Sequence, residues 1–407
     1  MDTLTVGLIG FVLLLLIAAT VVVWILKRRA SETRVDLALV EMFRVRVRAW
    51  WILFAGLATA FLSDQYFDFA GHGVTILLFG FISFWALREF ITLTPTRPGD
   101  HRALFWVFFL LTPAQFVLVW LERYDLYSTM IPVYAFLLIP ARIALSGDAK
   151  RFLERTAKIQ SGLLICVYCL SFAPALLTLE IPPYDPAGAG ASPGAGQEPY
   201  EKVIESGAGE TMPTGLGETL APSAAEGDRA PSGDAPSDTA REAADGESGS
   251  GPAPGARVAT GKPAGGTARL LFFFVLMTQL SDALQFAWSK LPSRHLIVPT
   301  ISQTRTWEGL LGGVASVTLL GAALRFATPF PHWWQAACAS VVIALMGLAG
   351  GLTMSAIKRD RGVQDFGTLV EGHGGVLDRI DSICFAAPVF FHLAYFLLTG
   401  HVAPTSG

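Results

Sequence analysis

Ten stretches of the chain are apolar over roughly the length that a helix needs to cross ~30 Å of hydrocarbon, about 20 residues. They leave few folds open. They lie near 5–26, 49–64, 74–93, 103–121, 127–146, 161–180, 269–288, 309–327, 333–354 and 382–400. In lipid every backbone N–H and C=O must find its partner within the protein, so segments of this length close their hydrogen bonds as helices. The expected fold is all-α: a polytopic integral membrane bundle of about ten transmembrane helices. Pro113, Pro132, Pro140 and Pro174 fall within the runs, where neighbouring helices can satisfy the backbone groups they free. The first run is too long for a secretory signal, and its basic residues follow it, so it reads as a retained anchor.

Between 181 and 268 the composition changes to Gly, Ala, Pro, Ser, Asp and Glu, with almost no aromatics. Such a segment cannot bury enough apolar surface to offset its ordering entropy, and disorder is expected. It divides the chain into an N-terminal half, 1–180, with six spans, and a C-terminal half, 269–407, with four. The net charge of −3 hides this division, because the acids gather in the insert and the basic residues in alternate loops. Nucleic acid is not an expected partner. Cys166, Cys169, Cys338 and Cys384 all lie in apolar segments, which suits packing and not a redox or zinc motif.

Basic residues follow the first, third, fifth, seventh and ninth spans: Arg28 and Arg34, then Arg97 and Arg102, Lys150 and Arg155, Lys290 and Arg305, and Lys358 and Arg361. The positive-inside rule places these loops in the cytoplasm, with both termini and residues 181–268 on the opposite side of a cell (inner) membrane. Residues 35–48 alternate apolar and basic side chains and read either as a segment at headgroup level or as a solvated linker.

The chemistry is expected in the second half. Asp378 and Asp381 stand three apart at the start of the last span, on one helical face, where paired carboxylates can hold a divalent cation. Carboxylate oxygens favour magnesium over zinc; a monovalent cation beside it is left open. Lys358 and Arg359 can neutralise phosphate oxygens, and Gly372-His373-Gly374-Gly375 can bring backbone amides close to an anion. His373 is a candidate hydrogen-bond donor to a phosphate. Within the seventh span Asp282 stands with Ser281 in a polar block, and an intramembrane carboxylate marks a site by default. The loop after it carries Arg305 and Thr306.

These residues carry a resemblance. Ser355, Lys358-Arg359, Asp365, His373-Gly374-Gly375, Asp378-Arg379 and Asp381, with Ser281-Asp282 and the stretch Ile301 to Gly309, resemble the motifs of phosphatidate cytidylyltransferases (CDP-diacylglycerol synthases). The resemblance covers about the last third of the chain. It implies transfer of a cytidylyl group from CTP to phosphatidic acid at the lipid bilayer, giving CDP-diacylglycerol and pyrophosphate. It further implies Asp282, Asp365, Asp378 and Asp381 as metal ligands or their orienters, and Lys358, Arg359, Arg379, Arg305, Gly374 and Gly375 around the phosphates. His373 would contact the lipid or nucleotide phosphate, with Ser281 and Thr306 as positioning groups. Three positions depart from the family pattern: Gln364 stands for the usual Lys, Glu371 for the usual Pro, and Gln303-Thr304 for a Pro and a basic residue. A polyprenol or phytol kinase, or a catalytically degenerate membrane relative, are the alternatives; a homodimer is left open.

Overall fold

The computed structural model describes residues 3–30, 37–67, 72–93, 96–179, 264–290, 295–363, 365–367 and 374–400. Most of the expected insert lies outside the described residues, as do His373, Gln364 and Glu371.

Ten helices long and apolar enough to cross a bilayer are present. They are α1 (Thr3–Ala30), α2 (Leu37–Phe67) and α3 (Gly73–Thr92); α4 (Pro98–Trp120), α5 (Tyr124–Ala144) and α6 (Phe152–Thr178); then α7 (Ala264–Trp288), α8 (Trp307–Ala327), α9 (Trp333–Arg361) and α10 (Leu377–Thr399). All ten apolar runs are spans. Two boundaries differ from the sequence reading. Residues 37–48 are neither a linker nor a separate surface segment but the opening turns of α2, because nothing between Leu37 and Phe67 breaks a helix and the basic residues can lie along it. Residues 264–268, assigned to the insert, begin α7.

Phe81, Leu137, Leu311 and Leu319 stay exposed on the outside of the bundle. In water such a surface would be a liability, whereas in hydrocarbon it is the solvated face. The chain is a multi-pass membrane protein.

Residues 1–183 and 262–407 pack as one compact unit, so the two halves are a division of the chain and not of the packing. The central element is α10, which packs along α9 and also touches α3, α6 and α7. Its Cys384, Ala386, Ala387, Phe390, Phe391 and Ala394 are buried. Small residues alternating with aromatics allow close approach on one side and filled volume on the other.

Three π-helical segments, Val107–Leu111, Met130–Ala135 and Leu164–Cys169, interrupt α4, α5 and α6. Pro132 lies inside one, and Pro113 and Pro174 follow the other two; proline removes a donor and crowds the preceding turn, which a wider turn relieves. The carbonyls left over are answered by hydroxyls: Thr112 Oγ1 donates to Val107 O at 2.8 Å, and Ser83 Oγ of α3 donates to Cys166 O at 2.7 Å.

The connections after α3, α5, α7 and α9 meet at one end of the bundle. Arg155 at the start of α6 pairs with Asp100 and Asp148, Arg361 at the end of α9 reaches Glu154 at 3.3 Å, and Glu89 near the end of α3 bonds the first amides of α10. These four connections, all of them basic, thus share one end.

Candidate active site

A cavity of about 200 Å³ opens at that end, lined from α2, α7, α8, α9, α10 and the connection between α7 and α8. Its charged walls are Arg46, Asp282, Arg305, Lys358, Asp378, Arg379 and Asp381. Four cations and three carboxylates around one space leave it mildly positive, the polarity that suits a phosphorylated ligand.

The carboxylates divide by how completely their oxygens are used. Asp378 is fully engaged: Oδ1 accepts from Lys358 Nζ at 2.9 Å, and Oδ2 from the amides of Phe366 and Gly375 at 2.9 and 3.0 Å. It therefore fixes Lys358 at the rim and ties the backbone at Phe366 and Gly375 to the first turn of α10. Asp282 meets Arg305 at 3.4 Å, and Arg305 donates to Gln285 Oε1 at 3.0 Å. Asp381 accepts, among the described residues, only from its neighbour Ser382, through the amide at 2.8 Å and the hydroxyl at 3.4 Å. Arg305 reaches this position because α9 has no side chain at Gly351, where a Cβ would lie 2.6 Å from the guanidinium.

The start of α10 is held by a residue from the other half of the chain. Glu89 is almost wholly buried, and its carboxylate accepts from the amides of Val376 and Leu377 at 3.0 and 2.9 Å. A carboxylate at a helix N-terminus satisfies donors that have no partner in the helix and complements its dipole. Gly375 permits the approach, since a Cβ there would lie 2.4 Å from Glu89 Oε2, and Gly374 makes the preceding turn at φ +77°.

Asp282, Asp378, Asp381, Lys358, Arg379, Arg305 and Thr306 all line the cavity, and Thr306 also caps α8 by accepting from Gly309 N at 3.0 Å. The remaining sequence candidates stand elsewhere. Arg359 is exposed and points its Nε at Ile301 O, 3.4 Å away; adjacent helical residues point about 100° apart, so Lys358 and Arg359 cannot both face the space. Ser281 is buried off the cavity wall, accepting from Gln285 Nε2 at 2.8 Å, and so it orients Gln285. Gly374 and Gly375 were expected to present amides to an anion, but neither lines the cavity, and the Gly375 amide is taken by Asp378. Asp365 is exposed and stands off the wall beside Gly374. The cavity draws on both halves of the chain, although the sequence pointed to the second alone: Arg46 and Trp50 of α2 line it, and Glu89 of α3 holds α10. Arg46 lies over the Phe286 ring at 4.5 Å; in the sequence it is one basic residue of the stretch 35–48, which offered only a headgroup-level segment or a linker.

Among the described residues no group of three or more His, Cys, Asp or Glu is arranged to hold a metal ion. The four aspartates are thus not a protein cage. Two of them, Asp282 and Asp381, face the cavity without the full set of bonds that closes Asp378. That donor set fits a hard cation of the magnesium type, which takes one or two carboxylates and completes its shell with phosphate and water oxygens.

Among known proteins, the uncharacterized protein YnbB of Escherichia coli (strain K12) is 27% identical over 349 residues, 86% of either chain. The phosphatidate cytidylyltransferase of Staphylococcus epidermidis is 33% identical over 122 residues, 30% of this chain and 47% of that one. That of Synechocystis sp. is 41% identical over 99 residues, 24% of this chain and 34% of that one. The chain therefore matches less than half the length of these two enzymes. The match to the cytidylyltransferase family model extends over residues 44–397, from the opening turns of α2 to the end of α10, and the chain belongs to that family.

Proposed function

We propose that this protein transfers the cytidylyl group of CTP to phosphatidic acid, forming CDP-diacylglycerol and pyrophosphate at the cytoplasmic face of the cell (inner) membrane. The observation that carries the reading is the cavity itself: Arg46, Arg305, Arg379 and Lys358 converge with Asp282 and Asp381 at the end of the bundle where the basic connections meet. The names of the Staphylococcus and Synechocystis relatives support the lipid substrate.

A phosphate oxygen of the lipid attacks the α-phosphorus of CTP, the bond from that phosphorus to its bridging oxygen breaks, and pyrophosphate leaves. No covalent intermediate on the protein is needed. The protein's task is to bring two anions together and to neutralise the charge that moves onto the leaving group. Arg46, Arg305 and Arg379 do the first by binding phosphate oxygens through planar forks. Lys358, steadied by Asp378, does the second at the rim. Asp282 and Asp381 would hold Mg²⁺, which when bound supplies positive charge to the phosphates and aligns them. Glu89 keeps the first turn of α10, and with it Asp378, Arg379 and Asp381, in register with α9.

Incorporation of label from α-labelled CTP into chloroform-extractable product by the purified protein, with phosphatidic acid and magnesium, tests the reading. Product that requires phosphatidic acid supports it. Transfer of γ-label to a polyprenol without incorporation of α-label, or no product from either lipid, overturns it.

A further inference from the structure

At the inner end of the cavity one buried polar atom lacks a partner among the described residues. Gln279 lines the wall, and its Nε2 is buried without a hydrogen-bond partner among the described residues. A buried amide donor left unpaired is costly, about 1–3 kcal/mol, and such a group in a binding site is accounted for when a ligand supplies the acceptor. The neighbouring amide, Gln285, shows the contrast: its Nε2 donates to Ser281 and its Oε1 accepts from Arg305.

Depth decides what that acceptor is. Helix α7 ends at Trp288 beside the site connection, so Gln285, Asp282 and Gln279 lie at successive turns away from the mouth. At 1.5 Å per residue Gln279 sits about 4.5 Å deeper than Asp282. The wall changes with depth in the same sense. On α9 it runs from Lys358 at the rim inward to Leu348, and on α2 from Arg46 to Leu53. A ligand filling the cavity is thus charged where it meets Asp282 and Arg305, and apolar about one turn further in, with one uncharged acceptor beside Gln279. A glycerophospholipid has this order: phosphate, then ester carbonyls at the glycerol, then hydrocarbon.

Resting on the lipid substrate argued above, we infer that Gln279 is a specificity-determining residue that donates a hydrogen bond to an acyl ester carbonyl of the lipid, selecting diacyl over dialkyl phosphatidate. The contact is remote from the reacting phosphorus, so it acts on lipid affinity and leaves the chemical step alone.

The test compares dioleoyl phosphatidate with its dialkyl ether analogue, which lacks both carbonyls, in the wild type and in Gln279→Met and Gln279→Asn. Methionine keeps the length of the side chain and removes the donor. The wild type should show a KM for the ether lipid about fivefold above that for the ester lipid, the scale of one neutral hydrogen bond. In Gln279→Met the ester KM should rise to the ether value, while the ether KM, kcat and the KM for CTP stay put; Gln279→Asn should fall between. The ester-to-ether ratio is internal to each preparation, so a smaller folded fraction does not alter it. Equal KM values in the wild type, an undiminished ratio in Gln279→Met, or a change in KM for CTP or in nucleotide preference would each overturn the inference, the last by assigning Gln279 to the base. If the wild type turns over neither lipid, the cytidylyl-transfer reading fails on its own. Equilibrium binding of the two labelled lipids to the same proteins in mixed micelles then decides the inference, a wild-type ester preference lost in Gln279→Met sustaining it and its absence sinking it.

Discussion

Two clusters of charge lie at the same end of the bundle, and they are built on opposite principles. In the first, Arg155 and Asp100 have side-chain exposures of 9% and 3%, and Arg155 also donates to the carbonyls of Asp148 and Lys150 at 2.9 and 3.0 Å and meets the Asp148 carboxylate at 3.2 Å. It is closed: the donors of Arg155 end on groups of the protein itself, and the connections after α3 and α5 are tied together. In the second, around Asp282, Asp381, Arg305 and Arg46, the groups share a cavity and bond one another incompletely. Buried charge that is fully paired maintains architecture, while charge lining an open space awaits a ligand. The difference is visible in geometry and invisible in composition, since both clusters are Arg with Asp.

The largest effect that would sharpen this contrast is at Asp381. Asp381→Asn keeps the shape and the bonds to Ser382 but removes a negative charge from the cavity, and cytidylyl transfer should fall on the order of 100-fold or more. The thermal midpoint in detergent should stay close to the wild type's. A large loss of stability with activity per folded molecule preserved would place Asp381 in the closed class and break the distinction.

Arg155→Ala is the mirror experiment. Removing one partner leaves Asp100 buried and uncompensated, and the expected loss of stability is about 3–5 kcal/mol, read as a lower denaturation midpoint. The surviving folded fraction should keep its kcat. The double change Arg155→Met with Asp100→Leu should recover much of the stability, because replacing both members of a buried pair by apolar residues leaves no charge to desolvate.

Between the two extremes stands Glu89, whose carboxylate is closed like Asp100 yet serves the open cluster by capping α10. Glu89→Gln retains one acceptor and loses the charge, so one of the two amides goes unanswered. A fall in kcat of about tenfold, with KM for CTP changed far less, is expected from loosened α10 residues. An unaltered kcat would show that α10 holds its register through α9 alone.

These residues also mark how far the sequence could be read. All ten spans were legible, because ~20 apolar residues in a row have few other uses. Asp282, Asp378 and Asp381, which line the cavity, were legible as candidates for the same reason inverted, each being a charge at or inside a greasy run. Arg46 was not, since a basic residue beside a span has a sufficient explanation in topology. Glu89 was not, because its partners are 287 and 288 residues away and no local pattern announces a contact of that kind. Gly375 could not be placed from sequence: a glycine-rich turn fits a phosphate and a side-chain carboxylate equally well, and here the carboxylates of Asp378 and Glu89 lie against it.

The smallest expected effect belongs to the residue whose sequence looked as informative as its neighbour's. Lys358 and Arg359 stand side by side at the end of α9, but only Lys358 lines the cavity, paired with Asp378 at 2.9 Å. Arg359 is exposed, and its contact with Ile301 O, at 3.4 Å, is a weak one on the surface. Arg359→Ala should therefore change kcat/KM by no more than about twofold, the scale of a surface group outside the site, whereas Lys358→Ala removes a cavity cation and leaves Asp378 without its ammonium partner, and should lower kcat/KM on the order of 100-fold. The two variants differ by one position, remove one positive charge each and alter the end of the same helix. Equal losses would mean that the net positive charge of this end, and not the direction in which a side chain points, governs the reaction, and the distinction between closed and open charge would then have no functional content.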